Sequence, residues 1–372
     1  MFVSENFLIR RWRGSSRRNV FRGGGREAVS IVLRVDAEPD PFFTDRKRPE
    51  PWRGYEEALR FFAALRPRLE GASGRGCHLT WLFRSDPQIA ETYGSASWAF
   101  ETYRSSVCRL EQEGDEIGLH VHAFRWIERE GAWCVDHGNQ DWVDRCVAMG
   151  LTAFFETRDR GCSAFAFGDR WLSNQTVSYL DERGVQYDLT LEPGAPSIPT
   201  YHPGRLYTGR LPDYRRVPRH PYRPSKHDYR LPSPDRREGI CMVPLSTLYY
   251  PLKRIRKVYN RLRSSVTPRQ EHMALSPSHE PHLFRRFFDE HLYEADVPIV
   301  MVARTNSFIP GRSRNHLDLN FDWLLSHPER ARFRFDTPEE ALRDFAASPK
   351  TTGSIRTVAP VRHVVSPSPL ER

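Results

Sequence analysis

The chain has 372 residues, 39% of them hydrophobic and 28% charged, with a formal net charge of +9. That length suffices to bury a sizeable core in one large α/β domain or two smaller ones. No apolar run approaches the ~18 residues of a membrane span, and the arginine-rich start, Met1 to Gly25, lacks the apolar core of a secretory signal. The six cysteines form no C-x-x-C pair, so they read as reduced thiols in a cytoplasmic protein.

The positive charge is concentrated in three stretches. Residues 1–27 hold seven arginines against two glutamates, 201–237 ten basic residues against three acidic, and 251–269 seven basic residues and no acidic one. The remainder of the chain is therefore acidic. Such segments suit a solvated surface, or peripheral contact with an anionic membrane. No nucleic-acid-binding motif accompanies them, so a nucleic-acid partner is not expected. The oligomeric state is not legible.

In chain order, residues 1–27 read as a basic lead-in. Val29 to Val35 is a β-branched and leucine run, the pattern of a strand buried on both faces of a parallel sheet. Prolines 39 and 41 stop it and leave Asp36 and Glu38 at its exit. Apolar spacing predicts a helix over Tyr55–Leu65 ending before Pro67, a strand over 78–83, and a helix over 98–111 stopped by Gly114. A strand over 116–122 follows. Further on come a helix over 142–155 interrupted near Gly150, a strand over 164–167, a helix over 174–183 and a strand over 185–189. Repeated βαβ units predict a parallel sheet or barrel.

The rhythm breaks at 193–238, rich in proline, tyrosine and arginine, which reads as a long irregular insertion packed over something. A strand over 240–245, a helix over 283–293 and a strand over 298–303 resume it. Segments 321–325 and 338–345 close the domain at 346, and 347–372 reads as a flexible tail.

The chemistry gathers at two strand exits. Asp36 and Glu38, and likewise His120 and His122, stand at i and i+2 of a strand, so each pair points to one face. Two carboxylates and two imidazoles are the donor types of a divalent-metal hydrolytic site. Arg84, Asp86 and Arg125 also stand at strand exits, where sugar contact and structural ion pairing are both open readings.

Asp36-x-Glu38, Gly114-Asp115-Glu116-Ile117-Gly118-Leu119-His120-x-His122, Phe167-Gly168-Asp169 and Tyr187-Asp188, in this order, resemble the motifs of the NodB-homology polysaccharide deacetylases, carbohydrate esterase family four. The resemblance covers roughly residues 29–345. It implies an α/β fold, a distorted (β/α) barrel with fewer than eight strands, and metal-dependent removal of an acetyl group from an acetylated sugar or polysaccharide precursor. It implies Asp36 as general base and Glu38 and His120 as metal ligands, with a divalent cation of zinc type. The family's second histidine falls at Phe124 here, and strand alternation puts His122 in its place. Ala166 stands where the family has an arginine, and no histidine lies near 301–306. Arg304 and Asp169 are the remaining catalytic candidates, for charge stabilisation and as acid. A barrel that binds carbohydrate without hydrolysing it is the alternative reading.

Overall fold

The computed structural model describes residues 28–41, 43–200, 206–251, 270–292 and 297–347. Its centre is a curled parallel sheet with strand order β11-β7-β6-β3-β2-β1-β14. The strands are β1 (Val29–Ala37), β2 (Thr80–Arg84), β3 (Glu116–Val121), β6 (Ala164–Phe167), β7 (Tyr187–Asp188), β11 (Cys241–Met242) and β14 (Ile299–Arg304). A short β15 (Phe333–Phe335) pairs with the first residues of β1, and its last residue bridges Cys77 just below β2. The two edges meet without a regular ladder: the Ser246 amide donates to the Val300 carbonyl, and the Val300 amide donates to the Ser246 hydroxyl. The result is the expected distorted barrel.

Between the strands run α1 (Arg53–Ser73), α2 (Pro87–Tyr93), α3 (Trp98–Thr102), α4 (Arg104–Gln112), α5 (Gln140–Arg158), α6 (Asn174–Glu182), α7 (Pro281–Leu292), α8 (Arg312–Ser326) and α9 (Pro338–Ala347). Two small sheets flank the barrel: β4 (Phe124–Ile127), β5 (Ala132–Asp136) and β9 (Leu206–Thr208), and the pair β8 (Ile198–Pro199) and β10 (Arg210–Leu211). A hairpin, β12 (Thr247–Pro251) and β13 (Gln270–Ala274), flanks the span 252–269.

Several elements depart from the spacing rules for identifiable reasons. Helix α1 runs through Pro67, because that residue lies on the solvent face while Leu65, Arg66 and Leu69 are buried on the inner one. There Arg66 donates to Asp115 at 2.6 Å, inside the wall. Helix α5 is unbroken at Gly150. A Cβ there would stand 2.7 Å from the Ser85 carbonyl oxygen, so glycine lets the helix lie against the strand exits. The helix expected over 98–111 breaks at Tyr103 into α3 and α4.

The insertion is held down by its tyrosines. Tyr214, Tyr222 and Tyr229 are buried, and the Tyr229 hydroxyl donates to the Leu172 carbonyl at 2.9 Å. Several of its arginines bind its own or neighbouring acids: Arg215 to Asp213, Arg230 to Asp228 and Arg236 to Asp181. Three of its ten basic residues thus have an acidic partner close by. The lead-in, the tail and residues 252–269 lie outside the described residues, as do 201–205 within the insertion. The six cysteines are all free. Among the described residues no helix is long and apolar enough to cross a membrane.

Alternation along the strands separates two cores. Ile31, Leu33, Val35, Trp81 and Phe83 face the helices. Val32, Leu82, Ala164, Leu189, Val243 and Val300 face one another inside the barrel and form its floor.

Candidate metal centre

The ladder registers align the inward positions in layers. Arg84 lies beside His120 and His120 beside Ala166, while Asp36 lies beside both Leu82 and Arg304. The inward stripe of β1 thus passes from Val32 through Arg34 and Asp36, and Glu38 follows just beyond the strand. Thr305 fixes the Glu38 main chain: its hydroxyl receives the Glu38 amide at 3.1 Å and donates to the Glu38 carbonyl at 3.0 Å. Asp86 does the same for His122, accepting its amide at 3.1 Å while pairing with the fully buried Arg84 at 2.9 Å and capping α2. Arg84 and Asp86 are thus structural supports of the site, and Arg125 pairs with Asp136 at 2.7 Å.

Glu38, His120 and His122 come together as expected. All three are buried, and each presents a donor atom within 4.8 Å of the other two. The Nε2 atoms of His120 and His122 are 2.9 Å apart, and Glu38 Oε2 lies 3.9 Å from His122 Nε2. Burial, then the neighbouring His122 and the arginines at 34, 84 and 304, hold the His120 imidazole well below its ordinary pKa, so it is neutral. Its Nδ1 lies 3.2 Å from the Ala166 carbonyl oxygen, an acceptor only, which places the one proton there. His122 turns its Nδ1 toward Asp169 Oδ2 at 3.5 Å. The His120 Nε2 lone pair is therefore directed at His122 Nε2, a contact that a shared cation could replace.

Glu38 points the same way. Its buried Oε2 accepts no hydrogen bond, and burial pushes its carboxyl pKa upward against the opposing pull of Arg304, His122 and Arg84. Two imidazoles plus one carboxylate, with the far ring nitrogens turned toward a carbonyl and a carboxylate, fit a divalent cation with an open coordination position.

The other candidates occupy distinct places. Asp36 is gripped by Arg34, with Nε at 2.5 Å and Nη2 at 2.8 Å from its two oxygens, while Arg34 Nη1 donates to the Leu189 carbonyl. Asp169 sits behind His122, in a left-handed conformation (φ 55°) shared by Arg170 (φ 52°), which side chains other than glycine seldom adopt. Arg304 stands at the solvent-exposed end of β14. Its partial loss of solvent works against the charge, but Glu38, Asp36, Asp169 and Glu192 outweigh this and raise its pKa.

Three features escape sequence reasoning. Gly168 is the only residue type that fits against the His122 ring, since a Cβ there would lie 2.1–2.4 Å from three ring atoms. Glu192 lies 3.5 Å from both Arg170 and His272 and interacts electrostatically with Arg304. His272 comes from a hairpin beyond a basic stretch with no periodicity to reveal it. His137 stacks on Trp171 at 5.5 Å. The Phe-Gly pair alone was visible, as part of a motif.

No family model and no curated protein matches the chain. Solved structures that align with it include a protein assigned as a polysaccharide deacetylase from Mycobacterium smegmatis, with 12% identity, 88% of this chain and 93% of that chain covered, and a TM-score of 0.45. They include Puue allantoinase, with 13% identity, 87% and 92% covered, and a TM-score of 0.46. A protein assigned as a glycoside hydrolase/deacetylase from Parabacteroides distasonis aligns with 14% identity, 86% and 72% covered, and a TM-score of 0.49. At such scores the likeness decides neither reaction nor substrate. The chain's own strand order and donor set define its class: a parallel α/β barrel whose mouth carries a buried Glu-His-His cluster suited to a divalent cation.

Proposed function

We propose that this protein is a metal-dependent hydrolase that removes an acetyl group from an acetylated sugar or polysaccharide precursor. The observation that carries the reading is the convergence of His120 Nε2, His122 Nε2 and the unbonded Glu38 Oε2 at the barrel mouth. The choice of reaction is supported by the motif resemblance of residues 36–38, 114–122 and 167–169. Glu38, His120 and His122 would hold the cation, of zinc type by its donor set. When bound, it would lower the pKa of a water toward ~7 and polarise the acetyl carbonyl.

The chain's own groups supply the rest. The Arg34 fork occupies one lone pair on each Asp36 oxygen and leaves others to take a proton from water. Arg304 would supply a permanent charge to a developing oxyanion. Asp169 stands on the Nδ1 side of His122, a place that suits orienting the ring better than protonating a leaving group.

The Arg34–Asp36 fork also favours the second reading, a barrel that binds carbohydrate without cleaving it, because the base candidate is already engaged. Metal analysis of the purified protein by mass spectrometry, with acetate release from acetylated sugars, separates the readings. The expectation is about one divalent ion per chain and a ~100-fold or greater loss of affinity in His120→Ala. Saturable sugar binding without acetate selects the binder, and a wild-type protein that takes up no divalent ion removes the mechanism.

A further inference from the structure

We propose that Phe124 is a positioning residue for His122, one jaw of a clamp whose other jaw is Gly168. This rests on the reading of His122 as a metal donor. The His122 ring is packed on Phe124, with centroids 4.6 Å apart and planes tilted by 31°. Gly168 leaves no room beside the ring for even one added carbon. An imidazole caught this way cannot swing about its own bonds without striking a ring or a main chain.

Phe124 is itself immobilised. It is fully buried, Phe43 stacks on it at 5.0 Å and 30°, and the Arg84 guanidinium lies 5.0 Å from its centroid. Phe43 belongs to the segment that follows Glu38, and its neighbour Thr44 is tied down twice, to Thr92 and to the Trp133 indole. One connection therefore carries a metal donor and, five residues on, the group that backs the clamp on another donor. Aromatic pairs at these separations hold orientation as well as apolar area. A donor misplaced by a fraction of a bond length loses affinity, which is why groups behind metal ligands matter nearly as much as the ligands.

The test is a zinc titration by chelator competition on wild type, Phe124→Leu and Gly168→Ala, together with ring-nitrogen NMR of His122 in the metal-free proteins. Zinc affinity should fall roughly 10- to 100-fold in Phe124→Leu and further in Gly168→Ala. The His122 ring, held in one orientation in wild type, should exchange between two environments. A folded Phe124→Leu protein with unchanged zinc affinity and an unchanged His122 signal overturns the proposal. Should Phe124→Leu fail to fold, Phe43→Leu unloads the same ring from its outer side, and no change in either readout there is equally fatal. A wild type that takes no zinc removes the metal reading alone, because the metal-free ring signal still reports the clamp.

Discussion

At the floor of the barrel, Val32, Leu82, Ala164, Leu189 and Val300 meet in an apolar plug. Two to four residues further along the same strands the inward positions are Arg34, Asp36, Arg84 and Arg304, with His120 beside Arg84 on β3. The floor gains by removing apolar surface from water, and it tolerates exchange among hydrophobes of similar volume. The mouth buries charge and polar rings, which costs free energy unless each is partnered. Its partners are local: Arg34 with Asp36 and Arg84 with Asp86, each pair two residues apart along the chain. Glu38 stands apart, with a buried oxygen that accepts no hydrogen bond. The stable end and the chemical end of one sheet thus differ in which partner each inward residue has, and Glu38 Oε2, without a hydrogen bond, lies at the chemical end.

Three changes would break or sharpen that contrast. The largest effect is expected for Arg34→Leu, which leaves the Asp36 carboxylate buried without its partner. Such a loss costs about 3–5 kcal/mol, readable by denaturant unfolding; a loss within ~0.5 kcal/mol would mean that the mouth is wetter than its burial implies. Next comes Leu82→Ala in the floor, where truncation of a fully buried leucine removes about 2–5 kcal/mol. Zinc affinity should stay at the wild-type value, and a parallel fall in affinity would show that floor and mouth are not separable.

The smallest effect belongs to Asp188, on β7 and wholly buried. Burial pushes its carboxyl up to about 7, against hydrogen bonds from Thr190 and the pull of Arg34. A raised folded-state pKa means that the unfolded chain loses this proton first. The contribution of Asp188 to stability is therefore greatest below the ordinary carboxylate pKa and declines as pH rises toward 7. Asp188→Asn should flatten the stability profile between pH 5 and 7 by roughly 2 kcal/mol, measured as unfolding free energy across that range. An unchanged slope would place the titration elsewhere.

Much of the architecture was legible because buried parallel strands write themselves as apolar runs. Val29–Val35, 116–122 and 298–303 all lie on or within a residue or two of observed strands. The short strands near 185–189 and 240–245 were found as runs but shrink to two residues each, since little ladder forms where the barrel closes. Helix limits failed where Pro67 and Gly150 were read by their local habits. A proline on a solvent face leaves one carbonyl to water, and a glycine under a strand exit relieves a contact, neither of which a linear pattern records. Of the site, the i, i+2 pairs at 36–38 and 120–122 were visible as side chains sharing a face. Their partners were not.

The amino-acid order by itself determined which residues share a face, because strand alternation is a local property with a period of two. It also set the donor types at the strand exits. Only the tertiary structure decided that Glu38 would keep an oxygen unbonded, and that Phe124 and Gly168 would close on His122. Those outcomes depend on the register between strands 46 or more residues apart and on the volume left between them, quantities set when the sheet curls into a barrel.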